Sequence, residues 1–194
     1  MNIIPSKISS GAGFEFENKV AAYYLTFMLT NKSPYSAENE IIKEMHFQVG
    51  VDGWLIDDLL IVLDNNGEAK RIAISIKSNQ QFTSKKAPKD FVERIWKQYL
   101  KKDKNPFKLG LDNLEIIVSS VPHSVSKNVN SLFDKIYNQP PELLHIRMSQ
   151  IGFANQIERN LFDSLNPSEE ICKENNIENK DIASFLKSIK VEEF

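Results

Sequence analysis

Hydrophobic positions near the start of the chain recur at helical spacing. From Phe14 to about Thr30 the apolar side chains lie three or four residues apart, as in Phe16, Val20 and Tyr24. This spacing predicts an α-helix with one buried face. Residues 32–39 collect Asn, Ser and Pro and are predicted to form a loop.

Three segments with the pattern of extended chain follow. Residues 40–49 alternate partly between apolar and polar, residues 54–63 are almost continuously apolar, and residues 71–77 alternate with Ile72, Ile74 and Ile76. Asn65-Asn66-Gly67 between the last two segments is a strong turn signal, so we expect an antiparallel hairpin there.

Helical and extended patterns alternate in the middle of the chain. Pro88 opens a predicted helix that reaches about Lys102, and residues 114–119 form a short apolar run that predicts a buried strand. A helix at 124–137 and a strand at 143–148 are predicted next. This order describes a mixed α/β protein with a central sheet flanked by helices.

The pattern beyond Gly152 is purely helical, with predicted helices at 153–165 and 181–191. We therefore predict a main domain over 1–165 and a helical C-terminal extension over 166–194. The last helix would carry an apolar face that includes Ile182, Phe185 and Ile189. That face could cover the chain's own core or pack against a second subunit, and self-association is expected from the second alternative.

Composition excludes several classes of protein. The 24 Lys and Arg residues nearly balance the 26 Asp and Glu residues, so a contact with nucleic acid has to come from a local basic patch. The single cysteine excludes a disulfide framework and a cysteine-based zinc site. No segment has the length and apolarity of a membrane span, and the sequence predicts a soluble, cytoplasmic protein.

The Asp57-Asp58 pair interrupts the apolar run of residues 54–63. Carboxylates in such surroundings are costly unless something uses or neutralises them. Lys77 ends the neighbouring predicted strand and could lie close to Asp58. From the residues alone, a structural ion pair at the rim of the sheet and a functional site are about equally supported.

Asp58, a hairpin and then Ser75-Ile76-Lys77 resemble the PD-(D/E)XK superfamily, also called restriction-endonuclease-like. Within it, the chain is similar to the double-stranded-DNA nuclease module at the front of bacterial anti-phage effectors. Some of those effectors are activated by cyclic oligonucleotides and others carry a STAND-type NTPase. The similarity covers about residues 11–165 and also includes these motifs: Gly13-Phe14-Glu15-Phe16-Glu17, Phe47-Gln48, Asp57-Asp58-Leu59, and Asp112-Asn113-Leu114.

The resemblance implies a metal-dependent hydrolase that cuts double-stranded DNA with Mg²⁺ or Mn²⁺. Asp58 would be the first metal ligand, Glu17 on the first helix would complete the site, and Asp57 is a weaker candidate because strand alternation turns it to the other face. Lys77 would orient the attacking water and stabilise the developing negative charge. Further domains or partner proteins of a defence system are also implied.

Ser75 departs from the family pattern, which has Glu, Asp or Gln at this position. A serine hydroxyl is a poor Mg²⁺ ligand, so other groups compensate, the metal binds weakly, or the chain does not cleave. The last alternative describes a catalytically inactive nuclease-like fold that binds DNA or assembles with partners.

Basic residues follow the candidate site, and four of them are the predicted contacts to DNA: Lys85, Lys86, Lys89 and Lys97. They begin in the loop after the strand of Lys77, where the backbone of a duplex would lie. A solvated helix face is the alternative interpretation of the same residues.

Overall fold

The computed structural model describes residues 7–35, 40–65, 67–79 and 81–194, with the backbone alone for residues 7–12 and Asn65. The elements follow one another as α1 (Lys7–Thr30), β1 (Ile41–Phe47), a 3-10 turn (Val49–Asp52), β2 (Leu59–Asn65), β3 (Glu68–Lys77), α2 (Lys89–Leu100), β4 (Asn113–Val118), α3 (His123–Asn138), α4 (Pro141–Ser149), α5 (Gln156–Leu165), α6 (Glu169–Asn175), α7 (Asn179–Leu186) and β5 (Ile189–Glu193). None of the helices in this part of the chain is long and apolar enough to cross a membrane.

The strands of the described residues form one mixed sheet in the order β1-β2-β3-β4-β5. The first three pair antiparallel, and β4 and β5 are added in parallel on the other side of β3. The expected hairpin is confirmed, because Asn65 pairs with Glu68 and Leu59 pairs with Ile74. Asn66 at its turn lies outside the described residues.

Two hydrophobic layers cover the two faces of the sheet. On one face α1 buries Val20 and Tyr24 against isoleucines and leucines of β2 and β3. On the other face the helices that follow β3 pack over Leu60, Ala73 and alternate residues of β4. The structure thus confirms a mixed α/β fold with a central sheet flanked by helices.

The predicted strand at 143–148 is wrong, because these residues belong to helix α4. The helix starts at Pro140-Pro141, and proline is favoured at the first helical position since its fixed φ suits the helix and its missing N–H is not needed there. Leu144 and Met148 are buried at a spacing of four residues, which is the helical period.

The predicted helix at 181–191 is correct only up to Leu186, where α7 ends. Ser188 then turns the chain, its carbonyl oxygen accepts hydrogen bonds from Leu114 N and Asn113 Nδ2, and β5 begins at Ile189. The C-terminal segment is therefore not purely helical, since its last residues complete the sheet beside β4.

The apolar face of α7 is covered by the chain itself. Ile182, Phe185 and Leu186 are almost completely buried, and the Phe185 ring contacts Trp96 of α2 with ring centroids 4.6 Å apart. Of the two alternatives for this face, the structure has the one in which it covers its own core. Self-association of the chain stays a prediction.

Candidate active site at the start of strand β2

Asp58 stands one residue before β2, at the end of the sheet where β3 finishes. The antiparallel pairing of Leu59 with Ile74 places the start of β2 beside Ser75, Ile76 and Lys77. Three donors of β3 converge on Asp58 Oδ2: the backbone N–H of Ile76 at 2.7 Å, Lys77 Nζ at 2.9 Å and Ser75 Oγ at 3.3 Å. The ion pair between Asp58 and Lys77, one of the two interpretations of the sequence, is therefore present.

Ser75 and Lys77 lie on the same face of β3, because residues two apart along a strand point the same way. Ser75 is buried, whereas the side chains of Asp58 and Lys77 keep about a fifth of their surface exposed, 20% and 21%. The pair is thus sheltered on the side of Ser75 and reachable from solvent on the other. A substrate could approach it only from the open side.

Glu17 of α1 completes a group of three charged side chains at this place. Burial raises the pKa of the Glu17 carboxyl, the negative charge of Asp58 raises this pKa further, and the ammonium group of Lys77 lowers it. Glu17 therefore lies close enough to sense both members of the pair. The helical spacing from the buried Val20 and Tyr24 turns Glu17 toward the sheet.

Asp57 has different contacts from its neighbour. Its Oδ1 accepts a hydrogen bond from Arg94 Nη1 at 3.1 Å, and the same guanidinium bonds to Leu55 O and to Asp90 of α2. Asp57 thus ties β2 to α2, while Asp58 contacts β3. The structure brings Asp58, Ser75 and Lys77 into contact, places Glu17 within reach of their charges, and places Asp57 in this separate ion pair.

The predicted DNA-contacting lysines are exposed. Lys85 and Lys86 lie in the loop before α2, and Lys89 and Lys97 lie one turn either side of Glu93 on the outer surface of the helix. The Glu93 carboxylate forms ion pairs with Lys89 Nζ at 3.6 Å and with Lys97 Nζ at 4.0 Å. Because these ion pairs are exposed, the lysines remain free to exchange Glu93 for a phosphate.

Glu115 is the polar group that the sequence interpretation passed over. It is completely buried in the middle of β4, where it accepts hydrogen bonds from the hydroxyls of Tyr24 at 3.3 Å and Tyr35 at 2.9 Å. Burial raises the pKa of its carboxyl from 4.5 to about 7. A charged residue inside the apolar run 114–119 indicates such a buried polar site in the sequence, just as the Asp57-Asp58 pair does in the apolar run 54–63.

The carboxylates of Asp58 and Glu17 fit a magnesium ion that is held by few protein ligands. Among the described residues, no group of three or more His, Cys, Asp and Glu side chains is placed to hold a metal. Mg²⁺, however, takes oxygen ligands and is commonly bound by one or two carboxylates together with water and substrate phosphate. Asp58 and Glu17 supply two carboxylates whose mutual repulsion a cation would relieve.

The chain resembles solved structures over almost its whole length, although no family model and no curated protein sequence matches it. The Cap4 SAVED/CARF-domain containing receptor of Moraxella osloensis is 14% identical, with a TM-score of 0.44, and the match covers 95% of this chain and 34% of that chain. The Cap4 receptor of Acinetobacter baumannii is 11% identical with a TM-score of 0.43, covering 94% of this chain and 33% of that one. The same receptor with the cyclic trinucleotide 3'3'3'-cAAA gives a TM-score of 0.42.

The chain spans about a third of the length of these solved chains.

Proposed function

We propose that the chain is a Mg²⁺-dependent endonuclease domain that hydrolyses phosphodiester bonds in double-stranded DNA. The observation that carries the proposal is the convergence of three β3 donors on one oxygen of Asp58, at a sheet end that solvent can reach. The order of Asp58, hairpin and Lys77 that resembles the PD-(D/E)XK superfamily gives this arrangement its chemical interpretation.

Asp58 and Glu17 would hold the ion, which supplies an activated water and positive charge beside the phosphate. The backbone N–H of Ile76 fixes the Asp58 carboxylate through Oδ2, which leaves Oδ1 as the freer ligand atom. The ammonium group of Lys77 lies 2.9 Å from Asp58 and would hydrogen-bond the water and the non-bridging phosphate oxygens.

Hydrolysis then follows the ordinary course for a phosphodiester. The water oxygen forms a bond to phosphorus as the bond from phosphorus to the leaving alcohol oxygen breaks. The proton that the water loses passes to solvent through the open side of the site, and the leaving oxygen takes a proton from a second water.

A role in anti-phage defence is part of the proposal. It rests on the similarity of the sequence motifs to the nuclease module of anti-phage effectors. Further domains or partner proteins would then supply the activating signal.

Cleavage of supercoiled plasmid by the purified chain tests the proposal. We expect nicked and linear products with Mg²⁺ or Mn²⁺ and none with EDTA. Asp58→Asn and Lys77→Met should each lower the rate on the order of a hundredfold or more, because each removes a group that acts with the others as one unit.

The control is an ion pair of the same kind on the same strand. Lys70 Nζ and Glu40 Oε1 lie 2.6 Å apart near the opposite end of β3, with side chains as sheltered as those of the candidate site. Lys70→Met should leave the rate within a few-fold of the unaltered chain. Equal rates in Lys77→Met and Lys70→Met, with both proteins folded, would show that the Asp58–Lys77 pair is structural.

Ser75 favours one alternative, a nuclease-like fold that binds DNA without cutting it. The hydroxyl stands 3.3 Å from Asp58 Oδ2, where the family would have a carboxylate or an amide. Binding of duplex DNA in the same experiment, with no cleavage in Mg²⁺ or Mn²⁺, would favour this alternative.

A further inference from the structure

The segment that leads into Asp58 has no regular secondary structure of its own. Residues 54–58 lie between the 3-10 turn and β2 and belong to neither a helix nor a strand. Trp54 and Ile56 are buried and anchor the segment in the core through their side chains. No regular ladder of hydrogen bonds fixes the backbone here, so the position of Asp58 depends on the individual contacts of the residues before it.

Helix α2 supplies these contacts from two side chains one turn apart. Gln98 is completely buried, and its Oε1 accepts a hydrogen bond from Leu55 N at 2.6 Å. Arg94 Nη1 donates to Leu55 O at 3.3 Å and to Asp57 Oδ1 at 3.1 Å. Asp90 Oδ2 lies 3.3 Å from Arg94 Nε and holds the guanidinium from its other edge. The backbone and the carboxylate that precede Asp58 are therefore bound to α2.

Strand β3 fixes the Asp58 carboxylate at only one point. Its three donors all meet the same oxygen, Oδ2. Contacts to a single oxygen allow the carboxylate to turn about that oxygen, so the direction of Oδ1 depends on the backbone of residue 58. This backbone follows directly on Asp57, which Arg94 holds.

We propose that Arg94 is a positioning residue of the candidate active site. By holding Asp57, it sets the orientation in which the Asp58 carboxylate would meet the metal. The inference rests on the proposed function. A guanidinium is planar and donates in fixed directions, which suits it to orient its acceptors. The side chains of Arg94 and Asp57 are 36% and 39% exposed, so their ion pair contributes little to stability and orientation is its main effect.

Calorimetric titration of the full chain with Mn²⁺ tests the proposal independently of cleavage. Arg94→Met should weaken Mn²⁺ binding about tenfold, the lower end of the effect of removing a group that orients a metal ligand. Charge alone predicts the opposite sign, because the loss of a positive guanidinium near a cation site tightens the binding of a cation. The KM for duplex DNA at saturating Mn²⁺ should stay close to that of the unaltered chain, because no contact to DNA is lost.

Asp57→Asn is the second variant, because it weakens the same ion pair from the other side. It should also weaken Mn²⁺ binding, and combining it with Arg94→Met should weaken binding no further. Two groups that act through one contact are expected to be non-additive in this way. If Asp57 were itself a metal ligand, its loss would add to the loss of Arg94.

Arg159→Met is the matched control at the junction of α4 and α5. Arg159 is also half-buried, and it donates to two backbone carbonyls, Met148 O at 3.1 Å and Gln150 O at 3.0 Å. Its replacement should leave Mn²⁺ binding unchanged. All of these variants should keep a cooperative thermal transition, since the side chains of the hydrophobic core are unaltered.

Mn²⁺ binding by Arg94→Met that is as tight as, or tighter than, that of the unaltered chain overturns the positioning role and leaves the nuclease proposal standing. Additive losses in the double variant also overturn it. A raised KM for duplex DNA with unchanged Mn²⁺ affinity overturns it as well, since Arg94 would then contact DNA. If the unaltered chain neither binds Mn²⁺ nor cuts duplex DNA, the proposed function fails and the positioning role fails with it.

Discussion

Replacing Glu115 by Gln should remove a large part of the pH dependence of stability. Glu115 is enclosed by the hydroxyls of Tyr24 and Tyr35 and by its register neighbour on β5, Lys190. Burial raises the pKa of its carboxyl to about 7, Lys190 and the tyrosine hydrogen bonds lower this pKa, and the negative charge of Glu192 raises it. Burial is the largest of these effects.

The size of this stability effect follows from the difference in the pKa of Glu115 between the folded and the unfolded state. Between pH 4.5 and about 7 the folded protein holds a proton on Glu115 that the unfolded chain has released. The free energy of unfolding therefore falls as the pH rises through this window. At 1.36 kcal/mol per pKa unit, the rise of the Glu115 pKa from 4.5 to about 7 corresponds to about 3 kcal/mol of unfolding free energy. This stabilisation is completely lost above pH 7.

Urea unfolding at a series of pH values measures this effect, with fluorescence of the buried Trp54 and Trp96 as the signal. The unaltered chain should lose stability relative to Glu115→Gln as the pH rises from 5 to 7.5. Glu68→Gln, at an exposed position of β3, serves as the control and should parallel the unaltered chain. Parallel curves for Glu115→Gln and the unaltered chain, or an unaltered chain that gains stability relative to Glu115→Gln as the pH rises from 5 to 7.5, would refute the reasoning.

Three further substitutions have definite expected outcomes. Ser75→Glu should tighten Mn²⁺ binding in calorimetry and lower stability without metal, because it adds a carboxylate beside Asp58; unchanged Mn²⁺ affinity would contradict a metal site there. Asp112→Ala should lower the free energy of unfolding by about 3–5 kcal/mol, since it leaves the guanidinium of Arg71 without its buried partner; a urea midpoint near that of the unaltered chain would contradict this. Phe185→Ala should cost about 3–5 kcal/mol in a single transition of the whole chain, and a separate early transition would mean that the C-terminal segment folds independently.

Most of the elements could be predicted from local patterns, because apolar periodicity reports which face of an element is buried. The strand β5 could not. Ile182, Phe185 and Ile189 fit a helical period, yet Ile189 is buried in a strand while the other two are buried in a helix. A short apolar segment fits either a helix or a strand. Which of the two it forms here depends on the open edge of β4, which is distant in sequence.

The candidate site could be predicted in part. The residue types and order of Asp58, Ser75 and Lys77 were readable, whereas their register required the pairing of Leu59 with Ile74. The placement of α1, which brings Glu17 to the same end of the sheet, also required tertiary packing. Nothing in the neighbours of Arg94 along the chain indicates that it pairs with Asp57.

The position of β5 at the edge of the sheet has a consequence for the synthesis of the protein. β4 is buried along nearly its whole length, and β5 alone covers its outer edge. The Phe194 ring also packs against Phe16 and Tyr23 of α1, so β5 is held from the helix as well as from the sheet. A ribosome-bound chain that lacks residues 189–194 therefore presents an apolar, unpaired strand, the form most prone to pair with another chain. A chain truncated before residue 189 should yield aggregates rather than a slightly shortened domain.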